Sequence, residues 1–111
     1  MSGAQLAVTE MRRATRHPVN YKVIGEHRTL GDVPFTIANI SAHGFMVEGH
    51  PPFSRGERVI IRLPVIGRIE AHLIWLTDDR AGFQFERIIR LDDFVKMIDT
   101  IQPNPRLRAA R

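Results

Sequence analysis

The chain has 111 residues, 43% hydrophobic and 25% charged, with a formal net charge of +4 and no cysteine. That length supports a single domain with one modest core, and the composition is that of a folded globular protein rather than a disordered one. The missing cysteine excludes disulfides, thiolate metal sites and cysteine nucleophiles. The positive charge is unevenly placed: residues 1–18 carry three Arg against one Glu, residues 102–111 carry three Arg and no acid, and residues 19–101 carry ten Lys/Arg against eleven Asp/Glu. A nucleic-acid-binding barrel carries a basic stripe on its own face. Here the body is nearly balanced, which argues against a nucleic-acid partner and places the anion-binding element on an arm.

Residues 1–10 have no apolar periodicity and read as a flexible leader. They also lack the basic and apolar regions of a signal peptide, and no later stretch approaches the roughly 20 apolar residues of a membrane span, so the expectation is a cytoplasmic chain. Val19 to Ile24 predicts a first strand, ended by Gly25-Glu26-His27. A second strand follows Gly31-Asp32, with Phe35, Ile37 and Asn39 on one face and Thr36 and Ala38 on the other. Gly44 punctuates the return, and Phe45 and Val47 alternate with Met46 and Glu48 in a third strand. Residues 49–56 contain two prolines and two glycines and predict a loop.

Arg58 to Leu63 alternates in the next strand, with Val59, Ile61 and Leu63 inward, and Pro64 to Gly67 turns the chain. Arg68 to Leu76 repeats the pattern with Ile69, Ala71, Leu73 and Trp75 on one face, so Trp75 reads as core. After the turn at Asp78-Asp79-Arg80, Gly82-Phe83-Gln84-Phe85 supplies a last strand with both phenylalanines on one side. Beyond residue 87 the period changes to 3.6: Leu91, Phe94, Val95, Ile98 and Ile101 share a helical face, with Asp92 and Asp93 near its favourable N-terminal end and Pro103 and Pro105 as stops. The expected architecture is mainly β, a small six-stranded antiparallel barrel with a C-terminal helix. In domain terms that is a leader over 1–10, one domain over 11–101 and a basic tail over 102–111.

Two short motifs stand out within this frame: Arg12-Arg13-Ala14-Thr15-Arg16, and Asn39-Ile40-Ser41-Ala42-His43-Gly44. In this order, ahead of a run of short strands, they resemble the RxxxR and (D/N)xSxxG signature of PilZ domains, a resemblance that covers residues 12 to about 100. It implies a non-enzymatic receptor for the bacterial second messenger cyclic di-GMP, with Arg12, Arg13, Arg16, Asn39, Ser41 and Gly44 at the ligand and no cofactor beside it. With no output domain attached, a protein partner would receive the signal.

The residue types suit that ligand, which presents two phosphates and two guanines. An arginine fork bonds phosphate oxygens or guanine O6/N7 in pairs and can stack on a purine. Asn39 offers a donor and an acceptor to a base edge, and Ser41 can bond phosphate, ribose or backbone. Gly44 permits a positive φ and a close backbone approach. Rival readings are an interaction module that keeps the fold without the ligand, and a small-barrel nucleic-acid binder using its basic termini. The five histidines show no metal-ligand spacing, and no serine stands in a nucleophile elbow or phosphate loop.

Overall fold

The computed structural model describes residues 15–101. The expected leader, the basic tail, Arg12, Arg13 and the two prolines after the helix lie outside that range. Six strands follow in order: β1 (His17–His27), β2 (Gly31–Ile40), β3 (Gly44–Glu48), β4 (Arg58–Leu63), β5 (Gly67–Leu76) and β6 (Arg80–Phe85); one helix, α1 (Leu91–Ile101), ends the described chain. The strands close into an antiparallel barrel in the order β1-β2-β3-β6-β5-β4. The seam between β1 and β4 is short, with only Glu26↔Ile60 and His27↔Val59 in register.

Period-two sequence becomes an inside and an outside. Val59, Ile61 and Leu63 of β4, Ile69, Ala71 and Leu73 of β5, and Phe83 and Phe85 of β6 are buried, as their alternation predicts. The interior is filled by aromatic rings. Phe45 and Phe83 stack with centroids 4.9 Å apart, and Phe35 stacks on Phe83 at 5.7 Å. Phe53, in the loop between β3 and β4, is buried and packs on His27 and Phe35, although the loop's composition signals only a turn. A barrel so filled has no room for a ligand inside.

Four local expectations are corrected. Gly25 does not end β1 but continues it, paired with Val33; a Cβ there would lie 2.6 Å from the Phe35 ring, so the glycine makes room for that ring. In β2 the register shifts between Ile37 and Asn39, which breaks the alternation: Ile37 and Ile40 are fully buried, and Asn39 leaves the face of Ile37 for the outer wall. A second shift between Leu73 and Trp75 turns Trp75 out of the core in the same way. In α1 the buried residues are Phe94, Met97 and Ile101, whereas Val95 is 52% exposed. The helix has rotated toward Met97, because its buried stripe must cover the barrel end beside β1, where Phe94 meets the His17 ring.

Candidate functional site

The two register shifts build one continuous row on the outer wall. Asn39 of β2 is opposite Met46 of β3, Met46 opposite Gly82 of β6, and Gly82 opposite Trp75 of β5. With strands about 4.8 Å apart, the row runs roughly 14 Å from amide to indole. Arg16 stands at its first end: Nη1 donates to Asn39 Oδ1 at 3.0 Å, while Asn39 Nδ2 donates to Met46 Sδ at 3.7 Å. The arginine is exposed and the asparagine half-buried, so the guanidinium is held in place with donors to spare.

Trp75 closes the other end. An added Cβ on Gly82 would overlap the indole, so the ring lies directly on that glycine and is half-buried there. The pyrrole part of the indole, Nε1, Cε2 and Cδ1, is what rests on Gly82, and the half-buried ring supplies an aromatic surface at this end of the row. Sequence reasoning assigned Trp75 to the core. The signal that could have revised it was Gly82 itself, a strand glycine, which marks a close approach by a neighbouring group.

The second motif works chiefly through its backbone. Ser41 is buried, and its Oγ accepts from His43 N at 3.2 Å and donates to Gly44 O at 3.5 Å; Ser41 N also donates to Gly44 O at 2.8 Å. Its hydroxyl therefore shapes the turn between β2 and β3. Gly44 is not among the positive-φ glycines. A Cβ there would run into the carbonyl oxygen of Phe83, so its role is close packing of β3 on β6. The turn is also tied to the chain leading into α1, since Phe85 N donates to His43 O at 2.8 Å and Ile89 N to Ala42 O at 2.9 Å. Of the sequence-predicted site residues, the structure brings Arg16 and Asn39 together, sets Ser41 and Gly44 in the turn that follows Asn39, and leaves Arg12 and Arg13 outside the described range.

The described residues form a filled six-stranded antiparallel barrel that turns a guanidinium, an amide and an indole toward its outer wall along one row, the class of small closed barrel with a C-terminal helix. The particular family follows from the whole sequence. The sequence model of the PilZ domain matches residues 10–99, and the chain belongs to the PilZ family. PilZ domains are receptor and effector modules for cyclic di-GMP, generally without enzymatic activity. Among solved structures the chain is similar to K. pneumonia MrkH in its apo state, with a TM-score of 0.52 and 22% identity over 87% of this chain. It covers 51% of the MrkH chain, about half its length, and at that identity the likeness is one of fold. No curated protein matches the chain. Among the described residues, no helix is long and apolar enough to cross a membrane.

Proposed function

We propose that this protein is a bacterial, cytoplasmic receptor that binds cyclic di-GMP on its outer wall, between the N-terminal arginine arm and the row from Asn39 to Trp75. The observation that carries the reading is the Arg16–Asn39 hydrogen bond at one end of a row whose other end is a seated indole. Arg16 and Arg12, four residues apart, supply forks for phosphate oxygens or guanine O6/N7. Asn39 orients Arg16 and offers its amide to a base edge, Trp75 stacks a guanine, and Ser41 and Gly44 hold the turn between β2 and β3. Arg13, in the same motif, adds a third positive charge to the arm.

The ligand bridges the arm and the barrel, and the surface so altered is what a protein partner reads. No metal or further cofactor takes part. Calorimetric titration tests the reading. Cyclic di-GMP should bind at micromolar concentration or tighter, and far more tightly than cyclic di-AMP. A wild-type chain that is folded and binds no cyclic di-GMP would overturn it and leave a ligand-free interaction module.

A further inference from the structure

Beside the ligand row the outer wall carries a second, polar row. Arg58 of β4 is opposite His72 of β5, and His72 is opposite Gln84 of β6, two residues along from Gly82. That places His72 about 10 Å along β5 from Trp75. Arg58, Glu70, His72 and Glu86, with Ala71 between them, line a pocket of about 360 Å³.

The pocket holds one fixed carboxylate. β6 ends at Phe85, and just past its end Glu86 N donates to Glu70 O at 2.9 Å. The return bond is made by a side chain: Glu70 N donates to Glu86 Oε2 at 2.9 Å, where a continuing strand would use a backbone carbonyl. Closing the ladder takes one oxygen. Oε1 makes no hydrogen bond among the described residues, and Glu86 is exposed. Across the pocket, Arg58 Nη1 lies 3.8 Å from Glu70 Oε2 with its side chain 73% exposed, so the guanidinium keeps donors to spare.

We propose that this pocket is a guanine subsite, in which the Glu86 carboxylate accepts from N1–H and N2–H and Arg58 donates to O6. The set complements that base, whose Watson–Crick edge presents two donors, N1–H and N2–H, beside one acceptor, O6. Adenine would turn the lone pair of its N1 against the carboxylate. The inference rests on the receptor reading above and deepens it: one guanine of cyclic di-GMP stacks on Trp75, the other enters this pocket, and Glu86 decides the preference for guanine over adenine.

Glu86→Gln tests the subsite in the full chain, by thermal melting and by calorimetric titration with cyclic di-GMP and cyclic di-AMP. The glutamine carbonyl can still accept from Glu70 N, so melting should stay at the wild-type value. Its NH2 sets donor against donor at guanine N1–H, and cyclic di-GMP should bind about tenfold more weakly. Charge alone predicts the reverse, since removing a negative charge near two phosphates favours both dinucleotides alike. Cyclic di-AMP affinity should hold or rise, because an amide offers adenine both a donor and an acceptor. Arg58→Ala, which leaves the ladder untouched, should weaken cyclic di-GMP several-fold and cyclic di-AMP less. Wild-type cyclic di-GMP affinity in Glu86→Gln, or equal losses for both dinucleotides, would overturn the subsite and leave the receptor reading in place. If Glu86→Gln melts lower, Arg58→Ala decides, and unchanged affinity there overturns the subsite. A wild type that binds no cyclic di-GMP removes the receptor reading and the subsite with it.

Discussion

At the scale of single residues, the site is defined by what each side chain is free to do. Arg16 is exposed, and its one hydrogen bond among the described residues is to Asn39. Arg16→Ala should therefore cost little stability yet remove a forked contact worth about 1–3 kcal/mol, lowering cyclic di-GMP affinity roughly tenfold to a hundredfold. Calorimetry showing equal affinity for variant and wild type would remove Arg16 from the site. Gly82 is defined by what it lacks. In Gly82→Ala the new methyl must displace the indole, because the two would occupy the same space. Trp75 is the only tryptophan, so its emission reports the displacement directly. The expected result is a shifted emission maximum together with several-fold weaker cyclic di-GMP binding, and unchanged emission would show that Trp75 does not rest on Gly82.

At the scale of elements, the turn between β2 and β3 and the strand β6 serve the site in different ways. Phe85 is buried in contact with the Phe45 ring, at 5.4 Å between centroids. Removing it in Phe85→Ala should cost roughly 3–5 kcal/mol through the cavity it leaves. In a domain of this size that lowers the melting temperature by more than about 10 °C. Ser41→Ala removes a hydroxyl that accepts from His43 N, a loss of about 1 kcal/mol. It should melt close to wild type but bind cyclic di-GMP more weakly, because the turn that carries Asn39 loosens. Phe85→Ala with wild-type stability on denaturant melting would contradict the inward placement of that face, and Ser41→Ala with unchanged affinity would separate the turn from the ligand row.

At the scale of the whole molecule, the body of the chain is close to electrically neutral and the positive excess lies in its two ends. The N-terminal end adjoins the row through Arg16. Saturating cyclic di-GMP should therefore slow tryptic cleavage after Arg12, Arg13 and Arg16, since proteolysis follows the population of the open form. Cleavage after Arg106 and Arg108 should not change, which supplies an internal control within the same digest. Equal cutting of the N-terminal arginines with and without the ligand, measured by mass spectrometry, would rule out the ordering of the arm on the barrel. The filled interior bears on the same point: with the aromatic rings packed across the barrel, a ligand can act only by rearranging the surface.

The sequence by itself determined the strands, the helix and the family. Alternation, turn residues and the two arginine and asparagine motifs are local patterns, each legible within about ten residues. It placed Arg16 and Asn39 in one site, and it read Phe83 and Phe85 correctly as inward. Tertiary structure alone decided that Asn39 and Trp75 both face outward. Each follows a register shift, at Ile37/Asn39 and Leu73/Trp75, and one extra residue between paired strands sends every later side chain to the opposite face. Such a shift depends on a partner strand far away in sequence, so no local period reveals it. The same reason covers Gly44, whose need for a hydrogen in place of a side chain comes from Phe83 across the sheet, and Met97, which is buried because the barrel end fixes the rotation of α1.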